Sequence, residues 1–351
     1  MPSLTDDVRK LKTEFPYATV ESLTSIPKKT NLKDSTALKE LSKLSQLIKS
    51  NATKLGIIST PDKIFNNEDS FRKQLTDFMD VMFYLLSLVP LFHDSYYADY
   101  FVEKVDHEIV SLILSVHKLS DELVEIVNSG DQYKDEEVDL SKDDKLAKFI
   151  KERLISIGML WSQCDNLDLL SRQGNLGLLN QYMSSSVKIL QDSIEELSEW
   201  LEDPVVNSDP FGMDDNFSED EEASVEGDNS EEVSDEMISF VNTLLQKSKL
   251  LKLLLGSLSK SIEIKKDTAT TASSLSELNQ LHKSIVSNSD IVISSTLMNA
   301  DYDTDPEIET AMLAIQNDVK KVTKIVTSLN KADDSKLKWI KVWSNKWDSL
   351  N

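Results

Sequence analysis

Apolar residues recur at steps of three and four along most of the chain, the spacing that places side chains on one face of an α-helix. The clearest stretches are Phe71, Leu75, Phe78, Met82, Leu85 and Val89; Phe101, Val105, Ile109, Leu112, Val116, Leu119, Leu123 and Ile126; Leu176, Leu179, Met183, Val187, Leu190, Ile194, Leu197 and Leu201; and Ile308, Met312, Ile315, Val319, Val322, Val326 and Leu329. No stretch alternates with period two for long enough to form a strand. The pattern predicts an all-α protein, in which long amphipathic helices pack as antiparallel bundles.

Helix ends are indicated by proline, glycine and polar turns. The first of these stretches is apolar nearly all round, since it also contains Phe83 and Tyr84, so we expect it to be the most buried helix. Pro90 is expected to end it. Further on, Gly174 in RQGNLG predicts a turn between two helices, and Asn175 is a plausible N-cap for the second of them.

The helical period is interrupted after Pro204 by a strongly acidic segment. Sixteen acidic side chains and no basic one lie between Glu199 and Glu236, which accounts for more than half of the net charge of −23. Self-repulsion and few apolar residues predict a disordered linker there. We therefore divide the chain into a loosely ordered arm with three prolines (1–34), an N-terminal helical bundle (35–203), the acidic linker (204–235) and a C-terminal helical bundle (236–351).

Composition excludes several classes of function. A net charge of −23 opposes binding to nucleic acid or to an anionic membrane surface. The longest apolar run, VMFYLLSLVPLF, is too short to span a bilayer, and MPSLTDDVRKLKTEF has no apolar leader region. With a single cysteine the chain cannot form an internal disulfide. We expect a protein of the cytoplasm and nucleus, without membrane insertion or direct nucleic-acid binding.

Cys164 is the residue on which an enzymatic hypothesis would depend. It continues a helical stripe that contains Ile150, Leu154, Ile157 and Trp161. A reactive thiol needs a neighbouring base and partial exposure, whereas a free cysteine on an apolar stripe is usually a small core residue. The four histidines show no metal-ligand spacing, and phosphate-loop, dinucleotide and nucleophile-elbow motifs are absent from the sequence. We expect no catalytic residue, no metal and no cofactor.

The acidic segment contains four serines in contexts that acid-directed kinases prefer. Ser218 has acidic residues at the next three positions, and Ser224, Ser230 and Ser234 have weaker versions of this pattern. Each phosphate would add about −1.5 to −2 charge to a segment that already repels itself. The sequence therefore predicts a phosphoprotein, although a merely solubilising linker is the alternative.

The last helix contains Trp339, Trp343 and Trp347 at steps of four, among lysines. The stripe is explained either by a closing helix that packs its indoles on the C-terminal bundle or by an exposed helix that enters a partner's groove. These tryptophans are therefore a candidate partner-binding helix.

A group of short motifs resembles the cyclin-D-binding protein family, also called GCIP. The segment GMLWSQCDNLDLL, with Trp161, Cys164 and Asp165, is followed by a long helix, by Asp209-Pro210-Phe211 and by the acidic run. The resemblance extends over roughly residues 40 to 330, by organisation more than identity. It implies an all-helical, non-enzymatic protein that binds a partner such as a cyclin or a helix-loop-helix protein and restrains cell-cycle entry and transcription.

Two other classes of function stay open from the sequence. Helical bundles also serve as scaffolds or adaptors of the cytoskeletal or trafficking type, and a bundle core can hold an enzyme site. Identified partners would separate the first of these from a cell-cycle regulator, and a buried pocket with convergent polar groups would favour the second.

Overall fold

The computed structural model describes residues 3–131, 144–205, 233–262, 268–299 and 302–350. Within these ranges the regular structure is helical and no strand occurs. The α-helices are α1 (Leu4–Thr13), α2 (Val20–Leu23), α3 (Ala37–Ile58), α4 (Pro61–Asn66), α5 (Glu68–Phe92), α6 (Asp99–Asp131), α7 (Asp144–Glu202), α8 (Asp235–Ser261), α9 (Ala269–Met298), α10 (Pro306–Leu329) and α11 (Asp334–Asp348), with a short 3-10 turn at Tyr302–Thr304. The predicted all-α fold is confirmed.

The chain divides into two compact units, Met1–Leu178 (unit 1) and Leu179–Asn351 (unit 2). The division lies inside α7, whereas the sequence placed it at the acidic segment 204–235, of which 206–232 lies outside the described residues. The division comes before the predicted linker because the second part of α7 packs with later helices. For example, Ser186 Oγ lies 3.0 Å from Nδ1 of His282 on α9. An apolar stripe shows that a helix is packed, but not which bundle it joins.

Helix α6 forms the centre of unit 1. All eight residues of its predicted stripe, from Phe101 to Ile126, have no exposed surface. Helices α1, α2 and α4 pack against α6, and α3 packs chiefly against α5. The period of three and four therefore located this core correctly.

The N-terminal residues are packed, in contrast to the loosely ordered arm predicted for 1–34. Val8, Leu11 and Phe15 are fully buried. Ser120 Oγ on α6 donates to the carbonyl of Val8 at 3.0 Å, and His117 Nε2 lies 2.8 Å from the carbonyl of Phe15. The prediction gave weight to the three prolines and missed a short amphipathic helix whose apolar positions fill the surface of α6.

Helix α5 differs from its prediction in two ways. It continues past Pro90 to Phe92, since proline removes only one backbone bond so close to the helix end. Phe83 and Tyr84 are 45% and 64% exposed, so α5 is not buried all round. By length and composition alone α5 can cross a membrane, but half of its most apolar window is buried in the protein, as in a core helix.

Helix α7 is interrupted at Gly174, where φ is 57° and ψ is −166°. Residues with a side chain rarely adopt this conformation, so glycine is required at the predicted turn. The Asn175 side chain was expected to cap the following helix, but it instead accepts a hydrogen bond from Ala98 N at 2.9 Å and donates to Tyr96 O at 3.0 Å. Asn175, next to the break in α7, thereby forms hydrogen bonds with the turn between α5 and α6.

Unit 2 contains the second part of α7 together with α8, α9, α10 and α11. Helices α9 and α10 pack extensively on each other, and α11 contacts α8 and α10. Asp305 caps α10 by accepting from Glu307 N at 2.8 Å, and Pro306 occupies the first turn as predicted.

Candidate protein-interaction surface

Cys164 lies in the core of unit 1, with 1% of its surface exposed. Burial, and secondarily the charge of Asp165, raises the pKa of its thiol to about 12. The thiol is therefore protonated at neutral pH and cannot act as a nucleophile there. This agrees with the interpretation of Cys164 as a small core side chain.

The stripe predicted around Cys164 is only half buried. Ile157 and Cys164 face the core, but Leu154 and Trp161 are 54% and 39% exposed. The buried row continues instead through residues one position away: Arg153, Leu160 and Leu167. Both rows have helical spacing and share Ile157 and Cys164, so spacing alone could not decide which side of that line faces the core.

Gly158 lies at the centre of an exposed apolar surface on the first part of α7. Its neighbours on the helix surface are Leu154 and Ile155 one turn before and Trp161 one turn after, and Met159 adjoins Ile155. All four side chains are at least 39% exposed. A Cβ built on Gly158 would have no heavy atom within 4 Å, so the helix backbone is open between Leu154 and Trp161. We call Leu154, Ile155, Gly158, Met159 and Trp161 the Gly158 patch.

Polar contacts fix α7 against α3 on the side of this patch. Lys49 Nζ forms an ion pair with Asp165 at 2.6 Å, and Ser42 Oγ donates to Asp168 at 2.6 Å. A Cβ added at Gly56 would lie 3.2 Å from Ile157 Cγ1, which shows how closely the two antiparallel helices approach. The Gly158 patch is therefore displayed on a well-packed helix.

Buried polar residues on the core-facing side of α7 bond to both α3 and α6. Arg153, 3% exposed, donates to the carbonyl of Gly56 at 2.6 Å near the C-terminal end of α3. Ser156 Oγ donates to Glu122 of α6 at 2.9 Å. Burial raises the pKa of the Glu122 carboxyl and lowers that of the Arg153 guanidinium. These residues give no signal in the sequence, because nothing in their spacing marks a charged residue as buried.

The tryptophans of α11 pack largely inside unit 2. Trp343 and Trp347 are each 4% exposed and stack with ring centroids 5.6 Å apart. Trp343 Nε1 donates to the carbonyl of Leu250 on α8 at 3.0 Å, while Trp339 is partly exposed. Of the two explanations given for the stripe, this geometry fits the closing helix.

A second group of buried polar side chains joins α7 to α9 in unit 2. Ser186 Oγ lies 3.0 Å from His282 Nδ1, and His282 Nε2 lies 3.2 Å from Asn279 Oδ1. Burial, with a smaller effect of Lys283, lowers the pKa of His282 to about 4, so the imidazole is neutral at pH 7. All three side chains are buried, which keeps a substrate away from this serine. These hydrogen-bonded side chains therefore have a structural role, linking α7 to α9. Sequence reasoning missed it, because Ser186 and His282 are far apart along the chain.

The remaining candidate residues lie at or beyond the edge of the described ranges. Ser234 is exposed and caps α8, since its hydroxyl accepts from Met237 N at 3.1 Å. Outside the described residues lie Asp209, Pro210, Phe211, Ser218, Ser224 and Ser230. Within the described part of the chain, no cluster of histidine, cysteine and carboxylate side chains could hold a metal ion.

Comparison with known proteins points to one family. Residues 40–203, which include the Gly158 patch, match the family model described as Grap2 and cyclin-D-interacting, N-terminal. The Saccharomyces cerevisiae protein YLR287C, described as uncharacterized, is 31% identical over 342 residues, which cover 95% of this chain and 92% of that protein. The Schizosaccharomyces pombe protein C22E12.18, also described as uncharacterized, is 29% identical over 201 residues, 57% of this chain and 55% of that protein. The chain therefore belongs to the Grap2 and cyclin-D-interacting protein family.

Proposed function

We propose that this protein is a non-enzymatic regulator of cell-cycle progression and transcription that binds a protein partner through the Gly158 patch. The partner is a cyclin or a helix-loop-helix protein, and the protein acts in the cytoplasm and nucleus. The observation behind the proposal is the 39% exposure of Trp161, which belongs to the family-like motif and lies among other exposed apolar residues. Contiguous exposed apolar surface of this kind is typical of interaction sites.

The geometry of the patch suits a helix or loop of the partner. Leu154 and Trp161 stand one on each side of Gly158, and the space above Gly158 is open. A partner side chain can lie there against the backbone of α7 and contact both apolar side chains. Tryptophan in such a position is often the residue on which most of the binding energy depends.

The chemistry of the buried groups supports a non-enzymatic role. The Cys164 thiol is protonated, and the His282 imidazole is neutral and enclosed. These are the buried side chains best suited to nucleophilic or base catalysis, and neither is accessible to a substrate.

The test of the proposal uses one position with two substitutions. Gly158→Arg fills the space above α7, and Gly158→Ala adds only a methyl group that meets no other atom within 4 Å. Binding of a purified cyclin and of a purified helix-loop-helix protein is measured by isothermal titration calorimetry. We expect one of the two to bind the native chain and Gly158→Ala alike, and to bind Gly158→Arg at least about tenfold more weakly.

Leu313→Arg is a control, because Leu313 is 57% exposed on α10 in unit 2 and the change should leave binding intact. The proposal fails if neither protein binds the native chain, or if Gly158→Arg binds as tightly as Gly158→Ala. Binding of a coat or cytoskeletal protein in their place would favour the scaffold or adaptor alternative.

Regulation by phosphorylation is part of the proposal. Ser234 supports it, because this residue is exposed at the N-terminal end of α8, where a phosphate is electrostatically favoured. Ser218, Ser224 and Ser230 remain predicted sites. Mass spectrometry of the protein purified from its own cells should find at least one of the four phosphorylated, and four unmodified serines would contradict this part.

A further inference from the structure

A second surface of different chemistry lies in unit 2, between the second part of α7 and α8. It is an open groove of about 800 Å³. Its apolar floor is formed by Val187, Ile194, Leu253 and Gly256, and its charged rim by Lys249, Lys252 and Lys260. We call it the lysine groove.

The lysine groove is basic in a strongly acidic protein. Between Met237 and Ile262 the sequence has four lysines and no acidic residue, although the whole chain has a net charge of −23. Lys249 and Lys260 are exposed, and no carboxylate among the described residues forms an ion pair with Lys249, Lys252 or Lys260. Lys252 Nζ donates to the neutral side chain of Gln191 across the groove. Such a bond is readily exchanged for a stronger one to a carboxylate.

The shape of the lysine groove fits an α-helix. Its residues on α8 extend from Lys249 to Lys260 at helical spacing, a distance of about 16 Å along the helix axis. On α7 they extend from Val187 to Ile194, also on one face. A Cβ added at Gly256 would lie 3.9 Å from Val187 Cγ2, so α8 and α7 are close neighbours in this part of the groove.

We infer that the lysine groove binds an acidic amphipathic helix of a protein partner. Apolar side chains of that helix cover Leu253, which is 53% exposed, together with Val187 and Ile194. Its glutamate or aspartate side chains pair with the three rim lysines. The apolar floor favours a protein over a nucleic acid, because a phosphate backbone has no apolar groups with which to cover Leu253.

The test uses the full chain and two synthetic helical peptides. One has leucines on one face and glutamates on its flanks, and the other has the same leucines with lysines in place of glutamates. Binding is measured by fluorescence anisotropy at low and at physiological salt. We expect the glutamate peptide to bind at least about tenfold more tightly than the lysine peptide, with an affinity that falls as salt rises.

Charge-reversal variants test whether the peptide binds in the lysine groove. The combined change Lys249→Glu, Lys252→Glu and Lys260→Glu should weaken glutamate-peptide binding at least about tenfold. The matched control is Lys320→Glu, Lys324→Glu and Lys331→Glu, which gives the same charge change on exposed residues at and just beyond α10, and it should have a much smaller effect. Circular dichroism checks that both variants remain folded. The change Gly158→Arg should leave peptide binding unchanged, so this inference and the proposed function can fail separately.

Three results would overturn the inference. The first is equal binding of the two peptides, and the second is equal effects of the two triple variants. The third is binding that appears only after the acidic residues between 206 and 232 are replaced by asparagine and glutamine. In that case the protein's own acidic segment, rather than a partner, would be the occupant.

Discussion

Replacing Gly174 by alanine should destabilise unit 1 without any steric clash. Gly174 has φ 57° and ψ −166°, a conformation that alanine rarely adopts. A Cβ at this position would lie 3.7 Å from Leu38 Cδ1, an ordinary van der Waals contact. Any loss of stability therefore comes from the backbone conformation rather than from packing.

The expected loss follows from two opposing effects. A residue with a side chain costs about 1–3 kcal/mol in so sparsely populated a region. Alanine also restricts the unfolded chain, which returns about 0.4–1 kcal/mol to the folded state. The net destabilisation by Gly174→Ala should be about 1–2 kcal/mol, or roughly five- to thirtyfold in the opening equilibrium of unit 1.

Gly158→Ala is the matched control, because it makes the same chemical change in the same helix. Gly158 has helical geometry, and an added Cβ has no neighbour within 4 Å. Alanine should stabilise the helix there by about 0.5–1 kcal/mol. The two substitutions should therefore change stability in opposite directions.

Hydrogen exchange measured by mass spectrometry can follow each unit separately. Peptides from α6 report the opening of unit 1, and peptides from α9 and α10 provide a reference in unit 2. Exchange in α6 should become faster in Gly174→Ala and slower in Gly158→Ala. Unchanged or slower exchange in Gly174→Ala would show that the chain does not need glycine at the break in α7.

Three further predictions concern buried side chains. The pKa of His282 falls from 6.5 to about 4 on folding, so unit 2 should lose up to about 3 kcal/mol of stability as pH drops from 6.5 to 4. Acid denaturation measures this loss, and His282→Gln should remove most of the pH dependence. The Cys164 thiol has its pKa raised from 9.0 to about 12, so it should react with iodoacetamide at pH 8 only as fast as unit 1 opens. Faster labelling would contradict its burial. Because the pKa is raised in the folded state, the stability of unit 1 should also fall as pH rises above about 9. Trp343→Ala should cost unit 2 about 3–5 kcal/mol in urea unfolding, since the indole is buried and bonded to Leu250, whereas a loss below about 1 kcal/mol would favour an exposed partner-binding helix.

The sequence predicted the helices and the α6 core well, because apolar period follows directly from helix geometry. It was less successful where two arrangements share that period. The Ile157 and Cys164 positions fit a buried row through Leu154 and Trp161 as well as one through Arg153 and Leu160, and only packing selects the second. The first row contained Leu154 and Trp161, which belong to the exposed Gly158 patch, so this part of the candidate site was assigned to the core.

Residues distant in sequence explain most of the other differences. The link from Ser186 to His282 assigns the second part of α7 to unit 2, and the bonds from Asn175 to Ala98 and Tyr96 join the break in α7 to the turn before α6. Neither relation leaves a periodic signal. At the N-terminus the signal was present in Val8 and Leu11, but prolines were given more weight than a short apolar row.

Net charge excludes a class of partner only when the binding surface shares that charge. The value of −23 argued against nucleic acid, yet α8 is locally basic, with four lysines and no acidic residue between Met237 and Ile262. In the lysine groove the exclusion depends instead on the apolar floor, above all on Leu253, which is 53% exposed. An acidic helix can satisfy the lysines and cover this side chain together, whereas a phosphate backbone would satisfy only the lysines. The arrangement of apolar and basic groups within one groove is therefore a stronger guide to the partner than the charge of the whole chain.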